Sequence, residues 1–179
     1  MSTELPNRAI SHRKGGYVTI VAATYNQKFT DALVENCLAE LREAAPSVDV
    51  EVVRVPGAFE VPMMVRRAIV QPTRDEAPQA VIALGVILRG STAHADLIGS
   101  AITDKLLSIS CETLVPVVHE VLLLNDEQQA FARCIAASLN RGREAARAAV
   151  AMMDVIDEQQ SQLRLKQRQN RINPMGSMF

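Results

Sequence analysis

Residues Ala80 to Ser110, AVIALGVILRGSTAHADLIGSAITDKLLSIS, leave little freedom for the fold. Ala80–Leu88 is a continuous apolar run rich in Val, Ile and Leu, with no polar residue on either face. That pattern predicts a strand buried on both sides, as in a parallel sheet. Ile98, Ala101, Ile102, Leu106 and Ile109 then recur at helical spacing. Between strand and helix lies Arg89-Gly90-Ser91-Thr92-Ala93-His94. Such a turn offers free backbone N–H groups, hydroxyl donors and the positive end of a helix dipole, which together suit a phosphate or another anion. His94 stands at the rim of the turn, where an imidazole moves protons near neutral pH.

The remaining chain repeats the strand-then-helix order. Tyr17–Ala23 reads as the first strand, and Thr30-Asp31 open a helix that Ala44-Ala45-Pro46 ends. Val48–Val55 is the second strand, broken by Pro56-Gly57 and followed by a short helix from Val61 or Pro62 to Val70. Val115–Leu124 is the fourth strand, with Pro116 at its start. Asn125-Asp126 cap a helix carrying Ala130, Phe131, Ala132 and Ile135, and Asn140-Arg141-Gly142 interrupt it. A last alanine-rich helix runs from about Arg143 into the 160s. Residues 1–16 form a polar arm able to add to a neighbour's sheet, 17–160 a single α/β domain, and 161–179 a frayed basic tail. The alternation predicts one four-stranded parallel sheet with helices on both faces, and ligands beyond the carboxyl ends of its strands. Tyr25-Asn26, Ala58-Phe59-Glu60, Leu88–His94 and Asn125 all fall at that edge.

Composition narrows the function classes. The 179 residues suffice for one domain with a full core, and a net charge of −1 gives no basic excess for nucleic acid. The 48% apolar content is high enough that some of it is expected between subunits. No N-terminal apolar h-region and no membrane-spanning run occur, so a cytoplasmic location is expected. Cys37, Cys111 and Cys134 lack metal-ligand or redox spacing and read as reduced packing thiols. No HxxxH or CxxC spacing points to a metal.

Several residues carry two readings. Tyr25 is either a half-exposed turn residue or a stacking face for a flat ligand. Phe59 is core beneath its loop or part of a site, and Glu60 is a helix-start carboxylate or an acceptor for heterocycle N–H groups. Arg89 is read as fixing its loop through a carboxylate. Arg133 is a solvated helix residue or a fork for a phosphate. His119, inside the strand VVHEV, reads as a hydrogen-bonded core or interface histidine.

Taken in order, VPGAFEVP at Val55–Pro62, ALGVILRGSTAHAD at Ala83–Asp96, the Tyr25-Asn26 turn, NDEQQAFAR at Asn125–Arg133 and Asn140-Arg141-Gly142 resemble the lumazine synthase family. The resemblance covers about Tyr17 to Ile156. It implies a three-layer flavodoxin-like fold, assembled as a pentamer or as multiples of pentamers up to a sixty-subunit shell, with active sites between neighbouring subunits. It implies the condensation of 5-amino-6-(D-ribitylamino)uracil with 3,4-dihydroxy-2-butanone 4-phosphate to 6,7-dimethyl-8-ribityllumazine, the riboflavin precursor, with no cofactor and no metal. By position, Tyr25 stacks on the pyrimidine, where the family usually has Phe or Trp. Ala58, Phe59 and Glu60 line the ribityl and pyrimidine site, and Val86, Ile87 and Leu88 give backbone contacts to the ring. Ser91 and Thr92 hold the phosphate, Arg133 binds it from the same side, and His94 is the general acid and base.

The sequence departs from the family pattern near one strand. His119 stands where the family usually has a Phe wall contributed by a neighbouring subunit, Glu120 replaces the usual Gly, and a basic position is Ala137. These changes motivate an alternative, a non-catalytic or weakly active flavin- or lumazine-binding oligomer of the same fold. A second alternative is a structural shell whose basic tail, Arg164–Arg171, holds an acidic partner.

Overall fold

The computed structural model describes residues 8, 10, 11 and 13–172 of the chain. Strands β1 (Tyr17–Ala23), β2 (Asp49–Val55), β3 (Ala80–Leu88) and β4 (Val117–Leu124) form one parallel sheet in the order β2-β1-β3-β4. Helices α1 (Gln27–Ala44) and α5 (Arg141–Ile172) pack on one face, and α2 (Val61–Val70) and α3 (His94–Thr113) on the other. A short helix α4 (Glu127–Ala130) follows β4 and continues into a π-helical turn, Phe131–Ile135. This is the three-layer α/β arrangement that the alternating pattern predicts.

Period-2 alternation along β1 and β3 sorts their side chains into two cores. Val18, Ile20, Ala22, Ile82 and Leu84 meet α1 and α5, whereas Val21, Ala23, Val81 and Ala83 meet α2 and α3. Both strands are central and apolar, apart from the buried Thr19 of β1 and the Tyr17 hydroxyl at its start. Edge strand β2 instead alternates in exposure, and its Asp49 and Glu51 meet Arg74 and Thr73.

The helix limits differ from the sequence expectation at four points. Helix α1 begins at Gln27, three residues before the expected Thr30, after the left-handed Asn26. The expected fourth helix is α-helical only to Ala130 and finishes as the π-helical turn, whose end the Asn140 side chain holds by donating to the carbonyls of Cys134 (2.8 Å) and Ala136 (3.2 Å). The same side chain accepts from the Arg143 N–H at 3.2 Å, which starts α5 two residues earlier than expected. At the other end α5 does not fray at residue 161 but runs to Ile172. Gln, Leu, Arg and Lys all favour helix, and no Gly or Pro intervenes before Pro174. Residues 173–179 lie outside the described residues, as do most of 1–12.

The described part of the N-terminal arm lies against its own chain. The Ser11 N–H donates to the Ala44 carbonyl at 2.8 Å, and its hydroxyl donates to Asp154 at 2.6 Å. Arg13 pairs with Asp157. Glu40 on α1, only 2% exposed, accepts from Arg8 Nε at 2.6 Å and from Arg147 Nε on α5 at 2.8 Å. The Arg8 hydrogen bonds, opposed by burial and aided by Arg147, hold the Glu40 carboxyl at about 2.

Two measurements check this packing. A Cβ on Gly142 would lie 2.3 Å from the Leu33 carbonyl oxygen, so α5 reaches α1 only because this residue has no side chain. Gly142→Ala should lower unfolding free energy by about 2 kcal/mol in urea titration. Glu40→Ala leaves the half-buried Arg147 without this carboxylate and should cost about 3 kcal/mol at pH 7. Because the folded-state pKa is depressed, the wild-type advantage should be complete above the ordinary value of 4.5 and fade as pH falls toward 2.

Candidate functional site

A cavity of about 400 Å³ opens at the carboxyl edge of the sheet. Tyr25 and Asn26 reach it from the turn after β1, Gly57–Glu60 from the turn after β2, and Val86–Leu88 from the end of β3. Gly90, Thr92, His94, Ala95 and Ile98 close it from the loop and first turns of α3. The structure thus brings together Tyr25, Ala58, Phe59, Glu60, Val86, Ile87, Leu88, Thr92 and His94 of the residues singled out in the sequence. Ser91 lies in the same exposed loop but does not line the cavity.

The cavity exists because the strands stop pairing at different points. β1 pairs with β3 only as far as Ala22–Leu84, whereas β4 follows β3 to Leu88. Past Leu84, the β3 edge facing β1 has no strand partner. Asn26 takes part of that edge: its Nδ2 donates to the Val86 carbonyl at 2.8 Å. Asn26 itself adopts a left-handed conformation (φ 57°), which Asn tolerates better than most residues. Sequence reading noted the turn without assigning Asn26 this role, although a polar residue after a buried strand was the available signal.

The turn after β2 is fixed from both sides. Tyr25 N–H donates to the Pro56 carbonyl at 3.0 Å, and Gly57 N–H donates to Glu60 Oε2 at 2.9 Å. A Cβ on Gly57 would come within 2.9 Å of that carboxylate oxygen and 3.1 Å of the Tyr25 ring. Glycine therefore lets ring and carboxylate converge. One oxygen of Glu60 caps the local turn, and the residue also lines the cavity. Tyr25 and Phe59 are 69% and 62% exposed, so two aromatic rings stand open beside the cleft. That resolves Phe59 against the core reading.

Arg89 fixes the loop, as its sequence position suggests. Its Nε and Nη2 donate to Asp96 Oδ1 at 3.2 and 2.5 Å, and Nη1 donates to Asn125 Oδ1 at 2.6 Å. The start of α3 is thereby tied to the end of β4. The first backbone N–H groups of α3, which follows directly on the loop of Ser91 and Thr92, have no partner within the helix and no side-chain cap.

Within one chain Arg133 and His119 do not line this cavity. The π-helical turn carries Arg133 back over the α1 and α5 face. There its Nη1 is buried without a hydrogen-bond partner. Glu120 faces the same layer, because it shares its parity on β4 with Val118 and Leu122. Burial pushes the Glu120 carboxyl up to about 7, against the pull of Arg141 and Arg133 and with the repulsion of Glu144. His119 points the other way. Its Nδ1 accepts from the Val121 N–H at 3.1 Å, so Nε2 carries the proton and donates to Thr103 Oγ1 at 2.9 Å. The Thr103 hydroxyl in turn donates to the Gly99 carbonyl at 2.9 Å. Burial lowers the His119 pKa, and the network suits a neutral ring.

Burial also raises the Cys37 and Cys134 thiols, the latter to about 12, while Cys111 is exposed. Among the described residues no group of three His, Cys, Asp or Glu side chains stands close enough to hold a metal. No described helix is long and apolar enough to cross a membrane.

The Glu120 environment makes a pH prediction. The folded chain releases this proton near 7, whereas an unperturbed glutamate releases it near 4.5. The folded state thus holds more protons across that window, and stability falls as pH rises through it. Glu120→Gln should remove this slope, leaving the variant relatively more stable at pH 8 than at pH 5, as read by thermal unfolding of both proteins.

Comparison with known proteins matches the same stretch. Residues 16–157 fit the family model for 6,7-dimethyl-8-ribityllumazine synthase. A protein of that name from Nitrobacter hamburgensis is 37% identical over 142 residues, 79% of this chain and 86% of the relative. One from Chlorobium phaeobacteroides is 36% identical over 143 residues, covering 79% and 90%. One from Thermococcus gammatolerans is 35% identical over 143 residues, covering 80% and 89%. With that match spanning all four strands and every residue that lines the cavity, the chain belongs to the 6,7-dimethyl-8-ribityllumazine synthase family.

Proposed function

We propose that this protein condenses 5-amino-6-(D-ribitylamino)uracil with 3,4-dihydroxy-2-butanone 4-phosphate to give 6,7-dimethyl-8-ribityllumazine, the penultimate step of riboflavin biosynthesis. The observation that carries the reading is the cavity itself. An aromatic face, a carboxylate, an uncovered strand edge and a helix N-terminus converge there. Each suits one part of the two substrates. Tyr25 stacks on the pyrimidine, and Phe59 and Ala58 border the ribityl chain. Glu60 and the backbone of Val86, Ile87 and Leu88 take the polar edge of the ring. Ser91, Thr92 and the first N–H groups of α3 take the phosphate.

Chemistry follows from holding both substrates in that cleft. The aromatic amine attacks the ketone and one water is lost, giving an imine. Removal of a proton then expels inorganic phosphate, whose charge the α3 N-terminus offsets. The ribitylamino nitrogen closes the ring as a second water leaves. Proximity supplies most of the rate, and His94, exposed at the first position of α3, carries the protons.

A second copy of the chain completes the site. Two features support this: the open side of the cavity, with Tyr25 and Phe59 exposed, and the placement of Arg133 and His119 away from it in one chain. A neighbour then brings Arg133 to the phosphate and His119 as a wall for the ring. A homo-oligomer built from pentamers and a cytoplasmic location belong to the same proposal.

The test mixes purified protein with both substrates and follows lumazine absorbance after subtracting the uncatalysed condensation. Turnover should exceed background and fall about 10²-fold in His94→Ala. Arg133→Ala should fall mainly through weaker use of the phosphorylated substrate. Phe59→Ala and Arg133→Ala chains, co-assembled in equal amounts, should regain about one quarter of wild-type activity, since random pairing restores that share of interfaces. A well-folded oligomer without turnover would overturn the reading, and riboflavin titration would then test a binding role.

A further inference from the structure

The C-terminal part of α5 is a separate problem in charge and exposure. The family match ends at residue 157, yet the helix continues to Ile172. Every side chain from Glu158 to Asn170 is exposed. From Gln159 onward there is no acidic residue, while Arg164, Lys166, Arg168 and Arg171 are basic. With a whole-chain charge of −1, residues 1–158 therefore carry −5 against +4 on the remainder.

Elsewhere arginines sit against carboxylates, as in Arg54–Asp31, Arg66–Glu112 and Arg89–Asp96. Arg164, Lys166 and Arg168 face no carboxylate among the described residues. The helix dipole favours cations in the last turn only, and Arg164 and Lys166 lie before it. Arg164 and Arg168 are one turn apart on one face, where they share a shallow concavity with Ser161, Leu165 and Gln167. Two forked donors a turn apart, flanked by an apolar and an amide side chain, match carboxylates at similar spacing.

We propose that α5 from Gln159 to Asn170 is a docking surface for a short acidic segment of another polypeptide. A long nucleic acid fits less well: the surface spans only about 18 Å of helix, and a longer polyanion would run onto the acidic body. A lipid surface also fits poorly. Leu163 and Leu165, two positions apart, fall on different sides of the helix and make no apolar stripe. The proposal stands independently of the catalytic reading.

The test uses the full chain and a fluorescein-labelled octaglutamate peptide, with binding read by anisotropy. Binding should weaken about tenfold between about 50 and about 300 mM salt. It should weaken at least about tenfold in the triple variant Arg164→Glu, Lys166→Glu, Arg168→Glu. The Gln triple variant, which keeps helix-forming side chains, should also lose binding, with helicity and lumazine-forming turnover unchanged in both. Undiminished peptide binding to either variant would overturn the proposal. So would no binding to wild type, or tighter binding to a twenty-nucleotide oligonucleotide or to anionic vesicles than to the peptide.

Discussion

Strand β3 is buried on both faces and flanked on both edges, so it presents polar atoms only where a neighbour stops. That happens on one side alone. β1 leaves at Leu84 and β4 stays to Leu88. The rest of the candidate site is arranged about this short uncovered edge. Asn26 covers one carbonyl, the Gly57 turn brings in the Tyr25 ring and Glu60, and Arg89 sets the start of α3 beside them. A flat heterocycle needs in-plane hydrogen bonds and a face to stack on, and a strand end beside an aromatic turn supplies both.

Much of this arrangement was legible in the sequence. An uninterrupted apolar run identified β3, and a nearly apolar one β1, because central strands of a parallel sheet are buried on both faces. Turn residues after each strand located the edge where ligands gather. What escaped sequence reading was made of long-range contacts. Asn140 binds carbonyls four and six residues back, and no periodicity announces such a cap. The tail of α5 read as frayed because it lacks an apolar face, although its residues favour helix by local propensity. Arg133 was placed at the phosphate by resemblance alone. The layer it occupies within one chain depends on a π-helical turn that the spacing does not encode.

Strand β4 shows how one alternation serves two environments. His119 and Glu120 are adjacent, yet they face opposite layers and carry opposite demands. His119 finds a complete chain of donors and acceptors through Thr103 to Gly99, so a neutral ring sits there without an orphaned atom. Glu120 shares a partly buried layer with Arg133, Arg141 and Glu144, and its proton is held tightly because solvent is scarce. Both residues lie within the regular β3–β4 pairing, His119 opposite Ala83 and Glu120 opposite Leu84.

The continuity of α5 has a mechanical consequence. Its first turns are clamped: Asn140 caps them, Gly142 abuts the Leu33 carbonyl, and Ala145, Ala149 and Met153 are buried against α1 and the sheet. The same helix then leaves the body without a break. It therefore acts as a stiff spar, where a flexible tail would act as a tether. Whatever meets its far end is held in one direction and at one distance from the body, and repeated copies of the chain would present such spars in a fixed geometric array.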